Sequence, residues 1–260
     1  MLRKIDLENE IIRIADFIKE QIFGQNFKKA IIGLSGGIDS SVSAALAVKA
    51  IGKENVLGIM LPYKTSHPDS YNDAVEVAEY LGIEYQKYDI SPMIDSYFEK
   101  YEPDATPLRR GNRMARERMC VLFDNSAKHG GLVVGTGNKS ELMIGYCTQY
   151  GDSACAFEPI GHLYKTEVWE IARLLGLPKS VIEKKPTADL WDGQTDEDEM
   201  GMTYQKLDEI LYQIVDLKKD KNDIMKLGYS ENDIDKTFNM IKKSEFKRNM
   251  PASLEEIWVS

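Results

Sequence analysis

The sequence is short of cysteine, of long apolar runs and of excess positive charge, and each shortage excludes a class of protein. Its three cysteines form no CxxC pair, which excludes a disulfide-stapled scaffold and a zinc ribbon. No apolar run approaches the roughly 18 residues that a membrane-spanning helix needs. The first ten residues lack the apolar centre of a signal peptide. We therefore expect a cytoplasmic protein with no membrane partner and with reduced thiols.

The charge balance argues against a polyanionic partner. The chain carries 33 basic and 42 acidic residues, a formal net charge of −9, whereas a nucleic-acid binder normally shows a basic surplus. Its 260 residues are 43% hydrophobic and 29% charged, which suits a globular protein with a sizeable core. We find no internal repeat or long linker. The sequence therefore predicts one domain over residues 1–260 that does not bind nucleic acid.

Short apolar runs alternate with helical patterns along most of the chain. Strands are predicted at 29–34, 56–61, 84–90 and 132–135. The helical patterns lie at 7–22, 40–50, 71–82, 109–128 and 168–175, and Asn138 is a candidate helix N-cap. Strands that alternate with helices indicate βαβ units. The fold class is therefore α/β, with a mainly parallel, doubly wound sheet covered by helices on both faces.

The pattern changes after Pro186. Residues 187–201 hold six acids, two glycines and no basic residue, which is typical of a mobile loop. Helical spacing returns at Leu207 and continues in three stretches to about Lys243. We therefore expect extra C-terminal helices after a loop.

The most specific motif is the string SGGIDSS from Ser35 to Ser41, between a predicted strand and a predicted helix. Its two glycines let the backbone approach a ligand closely. Serine hydroxyls and the N–H groups of a helix N-terminus form an anion site. The string is neither a Walker A loop, because no GK[ST] ends it, nor a GxGxxG fingerprint. A turn that only joins strand to helix is the alternative, and the full string in this context favours phosphate binding.

This string resembles the SGGxDS pyrophosphate loop of the N-type ATP pyrophosphatases, which cleave ATP to AMP and pyrophosphate. Four further segments resemble blocks of one branch, the NAD synthetases, in the same order. They are 110–119, 135–142, 159–168 and 188–197. The resemblance extends from about Ile11 to Pro251. It implies an adenine nucleotide alpha-hydrolase-like fold.

The resemblance also implies a reaction and its partners. The nicotinate carboxylate of deamido-NAD is adenylated by ATP, and ammonia then displaces AMP to form the amide of NAD. Magnesium is the implied cofactor, and a homodimer with dinucleotide sites across its interface is the implied assembly. Glutamine-dependent forms carry an extra N-terminal amidase domain, whereas Ser35 leaves room for one helix before it. We therefore expect ammonia as the direct donor and no glutaminase domain.

The residues that match the family's motifs are the candidate site. Asp39 and Glu141 match its magnesium ligands, and Asp39 and Lys165 are the candidate catalytic residues. Arg116 and Lys247 match residues that bind deamido-NAD. The candidate ATP-binding residues are Gly33, Leu34, Ser35, Gly36, Gly37, Ile38, Asp39, Ser40, Thr136, Lys165 and Thr187.

Three positions depart from the family pattern. Gln149 and Ala156 stand where many members have lysine and aspartate, and Phe246 stands where many have histidine. These positions contribute to the dinucleotide site in the members that have them. The departures therefore affect the assignment of the second substrate more than that of ATP.

Two other functions are alternatives to this one. A different ATP pyrophosphatase is disfavoured for two reasons. GMP synthetase normally carries a glutaminase domain. A tRNA-thiolating enzyme is expected to have CxxC pairs and a basic surface. A regulatory module that holds ATP without turnover is disfavoured by the joint presence of Asp39, Glu141 and Lys165.

Overall fold

The computed structural model describes residues 2–187, 193, 195–252 and 254 of the chain. Within them the strands are β1 (Lys29–Gly33), β2 (Val56–Met60), β3 (Glu84–Lys87) and β4 (Gly131–Val134). The α-helices are α1 (Leu7–Gly24), α2 (Ile38–Ile51), α3 (Pro68–Leu81), α4 (Ser91–Tyr101), α5 (Pro107–His129), α6 (Lys139–Ile144), α7 (Lys165–Leu174), α8 (Lys179–Ile182), α9 (Asp196–Met200), α10 (Tyr204–Leu211), α11 (Lys221–Met225) and α12 (Glu231–Lys243). None of the described helices is both long enough and apolar enough to cross a membrane.

The four strands form one parallel sheet in the order β3-β2-β1-β4. The chain moves outward from β1 to β3 and then returns to place β4 on the other side of β1. The strand order therefore reverses between β1 and β4. In open α/β sheets a ligand crevice forms at this point, outside the carboxyl ends of the two strands.

The sheet is covered on both faces because alternate residues of its strands point to opposite sides. In β1, Ala30 and Ile32 join the core that includes buried residues of α1, α2, α3 and α7. Ile31, between them, joins a second core with Ile94 and Phe98 of α4. The predicted doubly wound, helix-covered α/β fold is confirmed.

The C-terminal helices build a third core beside the sheet. Ile144 and Tyr164 pack with buried residues of α9 and α10, including Met200, Tyr204 and Leu207. This core places α10 against the beginnings of α6 and α7. This core positions the candidate site, because the first turns of α6 and α7 carry Glu141 and Lys165.

Three details differ from the sequence predictions. The third strand ends at Lys87 rather than at residue 90, although the Tyr88 N–H still bonds to the carbonyl of Met60. Helices α4 and α8 were not predicted. The predicted loop at 187–201 is wrong for residues 196–200, which form helix α9.

Helix α9 forms from an acidic segment for two local reasons. The Thr195 side chain caps it by accepting from the Asp198 N–H, and four acids in its first turn face the positive end of the helix dipole. Its Asp196 and Met200 are buried. Residues 188–192 and 194 of the predicted mobile segment lie outside the described residues.

Candidate active site

The phosphate-loop string lies at the carboxyl end of β1, in the crevice beside β4. Gly36 has φ +73°, and a Cβ there would lie 2.2 Å from the carbonyl oxygen of Ser70. Glycine is therefore required at this position both by conformation and by space. The Ser35 hydroxyl accepts from the Gly37 N–H at 3.2 Å and lies 3.1 Å from the Ser40 hydroxyl. The loop is thus held in a tight turn.

Helix α2 begins directly after this turn with its N-terminus toward the crevice. Its N-cap, Gly37, has no side chain that could satisfy the first N–H groups. The hydroxyls of Ser40 and Ser41 both donate to the Gly37 carbonyl, at 3.0 and 2.8 Å. The helix therefore offers backbone donors and its positive dipole end to an anion.

Three residues predicted from separate motifs meet in this crevice. The Lys165 ammonium donates to Asp39 Oδ2 at 2.5 Å and to Glu141 Oε1 at 2.9 Å. The Asn138 side-chain amide donates to Asp39 Oδ1 at 2.8 Å and also caps α6, which carries Glu141. The Lys165 side chain is 3% exposed, and those of Asp39 and Glu141 are 17% and 16% exposed. The result is a largely buried charge cluster open to the crevice.

Burial and mutual repulsion control the charges in this cluster. Burial, followed by repulsion from Asp39, raises the pKa of Glu141 to about 7, although Lys165 opposes the shift. Burial alone would lower the pKa of Lys165. Attraction to Asp39 and Glu141 outweighs burial, so the Lys165 pKa is raised and its side chain stays charged.

Tyr204 of helix α10 extends the cluster to a third carboxylate. Its hydroxyl lies 3.3 Å from Glu141 Oε1 and 3.0 Å from Asp196 Oδ2. Burial raises the pKa of Tyr204 well above its ordinary value, so the phenol keeps its proton. The Tyr204 ring also lies 5.1 Å from the Lys165 ammonium, within cation–π range.

Asp208, one helical turn after Tyr204, fixes the two helices that carry Glu141 and Lys165. It is fully buried and accepts from the Ser140 hydroxyl on α6 and from both the N–H and the hydroxyl of Thr166 on α7. The Ser140 hydroxyl oxygen in turn accepts from the Lys165 N–H at 2.9 Å. Asp208 thus ties the first turns of both helices to α10.

The remaining predicted residues lie on other segments of the chain. Thr136 follows β4, and Thr187 follows α8 at the border of the described residues. Arg116 lies on α5 and donates from Nε to the carbonyl of Gln149 at 3.3 Å. Lys247 donates to the carbonyls of Gly145 and Cys147 at 2.8 and 2.7 Å.

A small cavity of about 50 Å³ lies beside Glu141. It is lined mainly by residues of the segments after β4, among them Thr136, Tyr146, Asp152 and Glu158. A volume of this size holds a molecule no larger than one or two waters. The Glu158 carboxylate at its wall accepts from the Gly137 N–H at 2.9 Å, and burial raises the pKa of Glu158 to about 7.

The donor set fits a hard divalent cation. Asp39 and Glu141 supply carboxylate oxygens, and magnesium is usually held by one or two carboxylates together with substrate phosphates. An oxygen of the nearby buried Asp196, Oδ1, has no hydrogen-bond partner within the part of the chain that the structure describes. Among the described residues no group of three acidic, histidine or cysteine side chains is already arranged to hold a metal ion. The crevice therefore suits a cation that arrives with phosphate oxygens.

A comparison with known protein families identifies the family of the chain that carries this crevice. The model of the NAD synthase family matches residues 10–251. This chain belongs to the NAD synthase family. The family predicted from the sequence is thereby confirmed, and the crevice between β1 and β4 lies within the matched part of this NAD synthase family member.

Individual relatives of this family member are similar over nearly their whole length. The NH(3)-dependent NAD(+) synthetase of Trichlorobacter lovleyi is 48% identical, over 96% of this chain and 92% of that protein. The NH3-dependent NAD synthetase structure from Campylobacter jejuni has TM-score 0.83 at 35% identity, covering 96% of this chain and 100% of that one. The NMN synthetase structure from Francisella tularensis has TM-score 0.86 at 31% identity, covering 96% and 99%.

Sequence reasoning on this NAD synthase family member missed Tyr204 and Asp208. Both lie on α10, which was predicted only as an amphipathic helix from Leu207 onward. Their spacing of four residues places them on one helix face, but nothing in the sequence tells which neighbour that face meets. The acidic composition of the segment predicted a loop at Asp196, whereas the packing of α9 buries this residue.

Proposed function

We propose that this protein catalyses the ATP-dependent amidation of deamido-NAD to NAD, with ammonia as nitrogen donor and AMP and pyrophosphate as products. The observation that carries the proposal is the meeting of Lys165 with Asp39 and Glu141 beside the SGGIDSS turn. That arrangement supports ATP chemistry at this crevice, and the relatives named NH(3)-dependent NAD(+) synthetases support the acid substrate and the donor.

The reaction proceeds in two balanced steps. An oxygen of the nicotinate carboxylate attacks the α-phosphorus of ATP, and the bond from that phosphorus to the bridging oxygen breaks to release pyrophosphate. Ammonia then attacks the acyl carbon, the bond to AMP breaks, and one proton is lost. No protein nucleophile is needed. Catalysis rests on positioning the reactants and on stabilising the charge of the phosphates.

The residues of the crevice take separate roles in these steps. The turn at 35–37 and the N-terminus of α2 bind the phosphates of ATP. Asp39 and Glu141 would hold magnesium, which when bound neutralises phosphate charge as pyrophosphate leaves. Lys165 has three ammonium donors, of which two engage carboxylates, so one remains to be directed at a phosphate oxygen.

Ammonia as direct donor is supported by the small cavity beside Glu141. Its 50 Å³ admit a molecule the size of ammonia, and its wall carries the acidic side chains of Asp152 and Glu158. A carboxylate at this place can accept the proton that ammonia loses on forming the amide. We therefore propose that ammonia reaches the reaction through this cavity and that no glutaminase domain is required. We further propose that the protein acts as a homodimer in the cytoplasm.

The test is a substrate-exchange assay on purified protein with ATP, magnesium ions and ammonium. We expect pyrophosphate release and NAD formation with deamido-NAD, and at most slow turnover with glutamine in place of ammonium. An ATP-binding module without activity, or a different ATP pyrophosphatase, would release no pyrophosphate in response to deamido-NAD. Turnover with glutamine equal to that with ammonium would overturn the choice of donor.

A second candidate substrate is nicotinate mononucleotide, the deamido form of NMN. The similarity to the Francisella structure named NMN synthetase favours it, as do Gln149 and Ala156, which lack charges found in many dinucleotide sites. The same assay decides between the two acids. A kcat/KM at least tenfold higher for the mononucleotide would replace deamido-NAD as the principal substrate.

The proposed metal role of Asp39 is tested by Asp39→Asn. Removing one magnesium ligand weakens the stabilisation of the leaving pyrophosphate, by roughly 3–4 kcal/mol for electrostatic effects of this kind. We expect pyrophosphate release to fall about a hundredfold or more, with deamido-NAD binding nearly unchanged. Asp16→Asn, an exposed change on α1, is the matched control. Release at the wild-type rate would exclude the metal role.

A further inference from the structure

Three carboxylates, those of Asp39, Glu141 and Asp196, lie together at the crevice. The Lys165 ammonium reaches Asp39 and Glu141, and the single hydroxyl of Tyr204 faces both Glu141 and Asp196, at 3.3 and 3.0 Å. A phenol has one proton, so it can donate to only one of those two oxygens at a time. Tyr204 therefore cannot serve both carboxylates at once, and the hydroxyl of Tyr146, another phenol beside Asp196, donates to Glu199.

Asp196 is the carboxylate with the clearest deficit. Its residue is 4% exposed, and its Oδ1 has no hydrogen-bond partner among the described residues. Its backbone N–H donates to the Pro186 carbonyl at 3.0 Å, which fixes the beginning of α9. An unpaired carboxylate oxygen in a buried place is costly unless it meets a proton or a cation. The structure therefore leaves a position for one of these at Oδ1.

The charge count points to a cation. Asp39, Glu141 and Asp196 are three carboxylates, and Lys165 is the one ammonium that contacts this cluster directly in the described residues. Burial raises the pKa of Asp196, attraction to Lys165 opposes that shift and repulsion from Asp39 adds to it, so Asp196 lies close enough to both groups to interact with their charges. The two negative charges left over equal the charge of one divalent cation.

We propose that Asp196 is a third acidic group of the divalent-cation site and binds, through Oδ1, a water of the cation's coordination shell. The inference rests on the proposed function, which supplies the ATP and the cation. Magnesium keeps several waters when it binds proteins. A water-mediated role agrees with the lack of three acidic side chains already arranged to hold a metal ion among the described residues.

The Asp196→Asn variant tests whether a cation or a proton serves the Oδ1 atom of Asp196. Asparagine keeps the shape and an acceptor for Tyr204, and it imitates a protonated, neutral Asp196. Mn²⁺ is titrated, with electron paramagnetic resonance of the free ion as readout, in the presence of an ATP analogue with a methylene between its α- and β-phosphorus. We expect the Mn²⁺ dissociation constant to rise about tenfold or more, which is the usual effect of losing an outer-shell partner.

Two further variants complete the experiment. Asp196→Glu keeps the charge and is expected to retain more Mn²⁺ affinity than Asp196→Asn. Asp198→Asn removes an exposed charge from the same helix and is expected to bind Mn²⁺ as the wild type does. If circular dichroism shows that Asp196→Asn is unfolded, Asp196→Ser takes its place.

The outcomes distinguish this inference from the proposed function. Wild-type Mn²⁺ affinity in folded Asp196→Asn would overturn the inference alone and would mean that Asp196 carries a proton. A wild-type protein that bound no Mn²⁺ with the analogue would overturn the proposed ATP site, and the inference with it.

Discussion

At the scale of single residues, the position of Lys165 organises the crevice. Lys165 lies 126 residues after Asp39 and 24 after Glu141 in the chain, yet its ammonium contacts both carboxylates. The sequence named all three through separate motifs, because each motif has its own recognisable string. Their mutual contacts could not be derived from those strings, since the distances depend on how β1, α6 and α7 pack.

Arg116 provides a residue-scale prediction about the second substrate. Its guanidinium lies on α5 beside the segment that carries Gln149. A charge-assisted contact contributes about 1.5–3 kcal/mol. Arg116→Ala should therefore raise the KM for deamido-NAD about ten- to a hundredfold while the KM for ATP stays nearly constant. Steady-state kinetics with each substrate varied in turn measures both.

The control for Arg116 is a second arginine on the same helix. Arg109 pairs with Glu102 at the surface, so Arg109→Ala should leave both KM values unchanged. Arg116→Lys should rescue only in part, because an ammonium cannot reproduce the fork of donors of a guanidinium. An unaltered KM for deamido-NAD in Arg116→Ala would show that the acid substrate binds elsewhere.

Glu158 provides a prediction about pH and stability. Burial raises its pKa to about 7 from 4.5, so the folded protein binds a proton that the unfolded chain has released between those values. Its contribution to stability is therefore fully present below about pH 4.5 and is lost as the pH rises through about 7. A shift of this size is worth on the order of 2–3 kcal/mol at a half-buried site.

Glu158→Gln removes this titration while keeping an acceptor for the Gly137 N–H. We expect the free energy of unfolding of the variant, relative to wild type, to rise by about 2–3 kcal/mol between pH 4 and pH 8. Urea unfolding at several pH values measures the difference. A difference that does not change with pH would show that Glu158 titrates alike in the folded and unfolded chain.

At the scale of elements, helix α10 holds the first turns of helices α6 and α7 in place. Tyr204 and Asp208, four residues apart, face the same side, and Asp208 meets the first turns of α6 and α7 together. The helical pattern in the sequence predicted that α10 exists. The partners of its polar face became visible only in the packed structure.

Asp208→Asn tests this role of α10. Three donors converge on the two oxygens of Asp208, so an amide must turn its NH₂ group toward at least one donor. An unsatisfied buried donor costs about 1–3 kcal/mol of stability. We expect a lower urea midpoint, and a kcat reduced more than the KM values because Glu141 and Lys165 lose their alignment. Kinetics and unfolding on the same preparation measure both.

The neighbouring Glu209 offers the matched control for Asp208. It accepts from the Tyr229 hydroxyl at 2.7 Å. Glu209→Gln removes the same charge from the same helix and should leave kcat unchanged. An Asp208→Asn protein that is less stable but turns over at the wild-type rate would reduce Asp208 to a purely structural role.

At the scale of the whole molecule, we expect a homodimer. Large side chains remain exposed on α4 and α5, among them Tyr97, Tyr101 and Leu108. Exposed apolar side chains of this size are often covered by a partner. Light scattering during size-exclusion chromatography should give twice the chain mass. A monomer at micromolar concentration with full activity would contradict this expectation.

The sequence predicted the alternation of strands and helices and the phosphate-loop turn, and its resemblance to the family named Asp39, Glu141 and Lys165 as candidate site residues. These depend on local patterns: periodic burial, glycine conformation and contiguous motifs. The packed structure was needed to show that Asp196 is buried, with one oxygen unpaired among the described residues, and that Asp208 joins two helix N-termini. Such contacts arise between segments distant in the chain, where spacing along the sequence carries no information about distance in space.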